Sequence, residues 1–144
     1  MYKLIVFLCL TSIAAAEPIE YVKVPANTVT CEQSMTLTYG TVKAIAEQTE
    51  RPWLIVATSP TCSPCAQLKR DVLPLLKVHA ESKELLITVL DVSGNAHYQK
   101  NFCPDGRVPS IILYQRRSTQ WSRRYAVGFM PLKSLVEFVK GGRR

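Results

Sequence analysis

The chain has few of the residues that bind metal ions or build disulfide scaffolds. It contains two histidines, His79 and His97, and five cysteines in 144 residues. Neither histidine repeats the paired spacing that zinc-binding motifs use. The cysteines are also too few to build a disulfide scaffold that replaces a hydrophobic core. We therefore expect no metal and no cofactor, and metal binding through the cysteines is the weaker interpretation.

Long apolar runs are also scarce. The longest, residues 4–13, follows Lys3 and leads into three alanines at 14–16, the pattern of a secretory signal with an A-x-A cleavage site. This run is shorter than the roughly 20 residues that span a bilayer, so a cleaved signal is favoured over an uncleaved anchor. We expect an exported, soluble mature protein, with the periplasm as the favoured compartment and secretion as the alternative.

Internal repeats and nucleic-acid-binding motifs are absent as well. The formal net charge is +7, and much of the basic excess lies near the C-terminus. Without a motif, this excess is interpreted as a solvated basic surface, and no nucleic-acid partner is expected. The length suits one domain with a hydrophobic core. The predicted organisation is a signal peptide over 1–16, an N-terminal extension over 17–33 and a monomeric domain over 34–144.

What is present is an alternation of strand and helix patterns. Strands are predicted at 53–57, 85–92, 111–114 and 121–127, preceded by a short edge strand at 19–24. Helices are predicted at 41–50 (with Ser34 as an alternative start), after Cys62 with a kink at Pro74, at 96–102 and from Pro131 to Gly141. Successive βαβ units require a parallel sheet, and the last two strands form an antiparallel hairpin. The fold class is therefore α/β, with a mixed sheet of four to five strands flanked by helices.

A Cys-Ser-Pro-Cys sequence, residues 62–65, lies where the strand at 53–57 gives way to a helix. Cys62 is thus placed at the helix N-terminus, where unpaired N–H groups and the helix dipole favour a thiolate. Such a site lowers the pKa of a cysteine from about 8.5 toward neutrality. Cys65, one turn later, is close enough to close a disulfide with Cys62. The pair therefore supplies a reactive thiolate with a resolving thiol beside it.

With these residues in place, the chain resembles the thioredoxin family from about residue 34 to 140. Three features carry the resemblance: the strand–CSPC–helix unit, Val108-Pro109 before a strand, and Gly128 after the hairpin. The resemblance implies that Cys62 attacks and Cys65 resolves. It also implies that a cis Pro109 shapes the site, that the Val108 backbone binds an extended substrate, and that Gly128 allows close approach.

Two positions depart from the family pattern. Thr61 stands where many members have tryptophan, and Val56 stands where many have a buried acid that helps to deprotonate the resolving cysteine. Disulfide exchange remains possible without that acid, but the group that takes the proton from Cys65 is not evident in the sequence.

Three functions are compatible with these observations. The first is a thiol-disulfide oxidoreductase acting on exported proteins with cysteines or disulfides, served by a membrane-bound or soluble redox partner. The second is a redox-inactive interaction module in which CSPC forms a static disulfide. The third and weakest is a metal-binding protein. The missing acid at Val56 is the best support for the second.

The two further cysteines, Cys31 and Cys103, are candidates for a structural disulfide with each other. The alternatives are two separate thiols, or a Cys103 that relays electrons to or from Cys62. The side chains of Trp53, Trp121 and Tyr125 are assigned to packing rather than to substrate binding.

Overall fold

A four-stranded mixed sheet organises the chain in the computed structural model, which describes residues 26–79 and 84–141. The strands follow the spatial order β2-β1-β3-β4. They are β1 (Trp53–Thr58), β2 (Leu86–Asp91), β3 (Ser110–Arg117) and β4 (Gln120–Val127). The helices are α1 (Cys31–Ser34), α2 (Tyr39–Thr49), α3 (Ser63–Gln67), α4 (Leu73–Val78), α5 (Ala96–Phe102) and α6 (Leu132–Lys140). A 3-10 turn, Ala26–Thr28, precedes α1.

The central strand β1 is buried along its whole length. It pairs in parallel with β2 and antiparallel with β3, and β3 pairs antiparallel with β4. A strand covered on both faces needs apolar residues at every position, which the sequence Trp-Leu-Ile-Val-Ala supplies. The parallel β1–β2 pair and the antiparallel β3–β4 hairpin confirm those parts of the predicted topology. The expectation of a second parallel βαβ unit through α5 is wrong, because β3 runs antiparallel to β1.

Alternate residues of β1 enter two separate hydrophobic cores, one on each face of the sheet. Leu54 and Val56 pack with α4, with α6 and with residues 68 and 72 of the segment that joins α3 to α4. This core is called here the CxxC-side core, because it lies on the face of the sheet that the helix after Cys62 covers. Trp53, Ile55 and Ala57 pack with α2 and α5 in the opposite core. The sheet therefore lies between the two cores.

The helix that follows the CSPC sequence is interrupted before Pro74, as predicted. A π-helical segment, Leu68–Val72, joins α3 to α4, and the Leu73 N–H donates to the Leu68 carbonyl. Because proline has no N–H, it cannot make the regular bond within the helix interior, and a π turn accommodates that loss. Leu68, Val72, Leu73 and Leu76 remain buried across the interruption.

Several element boundaries differ from those expected. Strand β3 continues to Arg117 because its outer residues pair with β4. Helix α2 begins at Tyr39, which lies between the two predicted starts, residues 34 and 41. The short helix α1 was not predicted. Val29 and Cys31 are buried, so the packed part of the chain begins before residue 34, where the predicted domain starts. The predicted signal at 1–16 and strand at 19–24 lie outside the described residues.

The buried side chain of Ser34 completes one edge of the sheet. Its hydroxyl accepts from the Ile87 N–H at 2.9 Å and lies 3.2 Å from the Ile87 carbonyl. It also lies 2.6 Å from the Cys31 carbonyl. Helix α1 thereby supplies polar partners to β2 at the edge where no strand lies beside it in the described structure.

Among the described residues, none of the helices combines the length and the apolar character that a membrane span needs.

Candidate active site

Cys62 is the N-cap residue of α3, directly after the turn that ends β1. Its backbone is extended, its N–H donates to the Ser59 carbonyl at 3.2 Å, and its carbonyl accepts from the Ala66 N–H at 3.1 Å. Pro64 lies in the first turn of α3, where a missing N–H costs no helical hydrogen bond. The strand, the turn and the proline together fix Cys62 at the helix N-terminus, as the sequence predicts.

Cys62 and Cys65 are joined by a disulfide, with 5.2 Å between their Cα atoms. The two cysteines differ in exposure, since Cys62 is half-buried and Cys65 is fully buried. Only the first sulfur is therefore positioned to meet a second protein. Disulfide exchange needs one accessible sulfur that attacks and a second sulfur that then displaces it, and the two exposures suit these roles.

The backbone around Cys62 offers hydrogen bonding to its sulfur. The Cys65 N–H donates to Cys62 Sγ at 3.1 Å, and the first-turn N–H groups of a helix carry partial positive charge. Helix α3 continues through the π segment into α4, which ends at Val78. The peptide dipoles of several helical turns therefore contribute to the positive potential at Cys62. A negative charge that develops on Cys62 Sγ is stabilised by this arrangement.

Pro109 and Gly128 lie at the same end of the sheet as the CSPC turn. Ala57, near the end of β1, pairs with Ser110, and Ser110 pairs with Val127. The peptide bond between Val108 and Pro109 is cis, and the Pro109 carbonyl accepts from the Gly128 N–H at 2.8 Å. Gly128 has φ of +99°, a conformation that favours glycine. The structure therefore brings together all three sequence features behind the resemblance.

A groove of about 340 Å³ borders this end of the sheet. Ser59 and Thr61 line one part of it, and Cys103, Gly106 and Val108 line another. Ser59 was not singled out from the sequence, where its position in a strand-to-helix turn is the sole signal. Its carbonyl orients the Cys62 backbone, so Ser59 contributes to the site through its main chain.

The departures from the family pattern remain visible in three dimensions. Val56 is fully buried in the CxxC-side core, on the face of the sheet that the helix after Cys62 covers. Thr61 is exposed. Among the residues that the structure describes, no aspartate or glutamate is buried. The described residues thus offer no buried carboxylate as the proton acceptor for Cys65.

The candidate disulfide between Cys31 and Cys103 does not form in the structure. Both cysteines are free and buried. Cys31 belongs to the CxxC-side core and Cys103 to the core on the opposite face, so the sheet lies between them. The two thiols are therefore held in separate cores and are not paired. Over the described ranges, no three His, Cys, Asp or Glu side chains are grouped as a metal site would need.

The reduced protein is expected to show one reactive thiol against a background of protected ones. Burial raises the pKa of Cys31 to about 11, and burial also raises the pKa of Cys103. At pH 7 a thiol of pKa 11 is ionised in about one molecule in 10,000, so its alkylation is slow. Iodoacetamide should label Cys62 first and leave Cys31 and Cys103 unlabelled until denaturant is added. Mass spectrometry of timed samples measures this order.

A Cys62 that reacts no faster than free cysteine at neutral pH would contradict the thiolate interpretation. An oxidised, denatured sample provides the matching control. It should release the thiols of Cys31 and Cys103, plus that of Cys9 where residues 1–16 remain, and no others.

These features define an α/β protein with a paired-cysteine site at a helix N-terminus. No protein-family model and no curated protein matches the chain, whereas solved thioredoxin structures do. Chloroplastic thioredoxin z has a TM-score of 0.58 at 17% identity, covering 73% of this chain and 89% of its own. The thioredoxin of Thermus thermophilus has a TM-score of 0.58 at 16% identity, covering 73% and 83%. That of Trichomonas vaginalis has a TM-score of 0.55 at 15% identity, covering 74% and 92%.

The chain therefore has the thioredoxin fold, as the sequence resemblance implies. At these identities the likeness is one of fold. Together with the adjacent cysteine pair, it supports thiol-disulfide chemistry in general.

Proposed function

We propose that the protein is a thiol-disulfide oxidoreductase that exchanges disulfides with exported proteins through Cys62 and Cys65. The observation that carries the proposal is the asymmetric pair: a half-buried sulfur at a helix N-cap, joined to a fully buried one. The signal-like pattern at residues 1–16 supports export, with the periplasm as the favoured compartment and secretion as the alternative.

The exchange consists of two displacement steps. The Cys62 thiolate attacks one sulfur of a substrate disulfide, forming a mixed disulfide and releasing the other substrate sulfur as a thiolate. Cys65, after losing its proton, attacks Cys62 Sγ, closes the Cys62–Cys65 disulfide and releases the second substrate thiolate. The substrate gains two electrons and the pair loses two. In the reverse direction the pair oxidises a substrate dithiol.

The residues around Cys62 are assigned roles in binding rather than in bond breaking. The backbone of Val108 pairs with an extended substrate segment, Pro109 shapes the surface beside Cys62, and Gly128 leaves room for the approaching chain. Their common position at one end of the sheet supports this assignment. Substrates are proteins with cysteines or disulfides, and a membrane-bound or soluble redox protein renews the pair. We propose that the protein acts as a monomer.

The reduction potential of the Cys62–Cys65 couple tests the proposal. Exchange proteins of this chemistry have potentials from about −270 to −120 mV, whereas structural disulfides lie below about −300 mV. We expect a value within the first range, measured by equilibration with glutathione or dithiothreitol followed by acid quenching and alkylation. A potential below that range would instead favour the interaction module with a static disulfide, an alternative for which the apolar Val56 is the specific support.

A further inference from the structure

A second cavity, of about 350 Å³, lies on the face of the sheet opposite the CxxC-side core. Aromatic side chains dominate its lining: Tyr39, Trp53, Phe102, Tyr114 and Trp121. Trp53 and Phe102 are buried at its base, and the other three are half-buried around it. A volume near the lower end of the usual range for small-molecule sites suits a ligand of one or two rings.

The sheet register places this cavity far from the cysteine pair. Trp53, Tyr114 and Arg123 are directly paired across β1, β3 and β4, and so point to one face of the sheet. Trp53 begins β1, whereas Cys62 follows the end of that strand. The strand alone separates the two positions by about 17 Å. The cavity is therefore a separate site, and an inference about it does not depend on the proposed function.

The rim of the cavity carries a net positive charge. Lys43 and Arg123 line it with one carboxylate, that of Glu47, whose Oε1 lies 3.8 Å from the Lys43 ammonium. The Arg123 guanidinium lies 6.0 Å from the Tyr114 ring centre and donates to the Asn101 carbonyl at 2.5 Å. A guanidinium has five N–H donors, so this one bond leaves others for a ligand. The Asn101 carbonyl and the Tyr114 ring fix the position of the guanidinium and therefore the direction of its remaining donors.

These observations decide the charge of the ligand. Aromatic faces by themselves would suit a cation, but Arg123 already occupies the Tyr114 face and would repel one. An anion is attracted to Arg123 and to Lys43, and its ring system gains contact with the indoles and phenols. We propose that this cavity binds a planar aromatic carboxylate of one or two rings, with the rings among the aromatic side chains and the carboxylate at Arg123.

The probe for this proposal is 1-naphthoate. The chain has two tryptophans, and both line the cavity, so both indole N–H signals in a ¹H–¹⁵N NMR spectrum report on it. The Trp53 indole also donates to Thr88 Oγ1 at 2.9 Å, which fixes its orientation. We expect saturable shifts of both signals by 1-naphthoate. We expect binding weaker by about fivefold or more for neutral 1-naphthalenemethanol, which lacks the charge that Arg123 pairs with.

Arg123→Gln should weaken 1-naphthoate binding to the level of the neutral compound, whereas Arg117→Gln should leave it unchanged. Arg117 is an exposed cation on the same hairpin that does not line the cavity. Unshifted indole signals in the free Arg123→Gln variant establish that the cavity is intact. Reduction of the Cys62–Cys65 disulfide should not alter binding.

Absence of saturable shifts, equal binding of the neutral compound, or an Arg123→Gln variant that binds as tightly as the natural chain would each overturn the proposal. The titration does not test the exchange activity of Cys62 and Cys65, so its result neither supports nor contradicts the proposed function.

Discussion

Cys62→Ser is expected to abolish disulfide exchange, reducing the rate of insulin reduction to that of the uncatalysed reaction. The loss should be at least about a hundredfold, as when a covalent nucleophile is removed from its site. Serine keeps the N-cap hydrogen bond to the Cys65 N–H, so α3 should form normally. The loss would thus report chemistry rather than unfolding, and far-UV circular dichroism checks that the helix content is unchanged.

Cys65→Ser is expected to give a different result from the same assay. The Cys62 thiolate still attacks a substrate disulfide, but no thiol remains to displace it. Mixed disulfides should therefore accumulate with substrate proteins, visible as mass additions that dithiothreitol removes. Non-reducing electrophoresis followed by mass spectrometry of the linked peptides measures whether the bond is at Cys62.

The matched control is a double substitution, Cys31→Ser with Cys103→Ala, which leaves the CSPC sequence intact. Because both thiols are buried in separate cores, this variant should retain exchange activity even if its stability falls. Retained activity in Cys62→Ser, or loss of activity in the control while it is folded, would show that another thiol carries the reaction.

The fold could be predicted from the sequence wherever burial imposes a pattern. The continuous apolar residues of β1 predict a strand that is covered on both faces, and so does the apolar run that includes β2. Helix α5 was predicted at its observed bounds, Ala96–Phe102. The position of Cys62 also followed, since a strand, a turn and a proline in the first helical turn leave one place for it. These signals are local, and they survive without any knowledge of packing.

What the sequence did not reveal depends on contacts between distant segments. Helix α1 is four residues long and is held in place partly by the Ser34 hydroxyl on β2, a contact across 53 residues. The Cys31–Cys103 pairing failed because the sheet lies between the two thiols, a fact that no spacing encodes. The aromatic cavity likewise combines residues of three strands and two helices. Trp53 and Trp121 pack in or against the core, as predicted, and they also line this cavity.

Val56→Asp is expected to destabilise the protein while supplying the carboxylate that the site lacks. Val56 is fully buried among apolar side chains, so the substitution should lower the free energy of unfolding by about 3 kcal/mol or more at pH 7. Burial raises the pKa of such a carboxyl above its unfolded value of about 3.9. The native state then binds the proton more tightly than the unfolded state.

The destabilisation should accordingly be smallest below pH 4, where both states are protonated. It should grow as the pH rises from the unfolded pKa to the folded pKa, because over this range the unfolded state loses the proton while the native state keeps it, and it should level off above the folded pKa. Val56→Asn is the matched control, since its side chain has nearly the same shape and does not titrate. Urea unfolding at pH 4 and pH 7 should show a pH-dependent loss for Val56→Asp and a constant loss for Val56→Asn, each relative to the natural chain.

The same pair of variants tests whether proton removal from Cys65 limits the natural protein. Val56 packs in the same core as Leu68 and Val72, which continue the helical path that carries Cys65, so we expect a carboxylate at position 56 to accept the proton as Cys65 attacks. With Cys62 loaded as a mixed disulfide with thionitrobenzoate, release of the coloured thiol reports that attack directly. We expect release to be about tenfold faster in Val56→Asp than in Val56→Asn at pH 7, the size of a modest general-base effect. Equal release rates in the two folded variants would show that Cys65 deprotonates without help from this face of the sheet, and that an apolar residue at 56 imposes no limit on exchange.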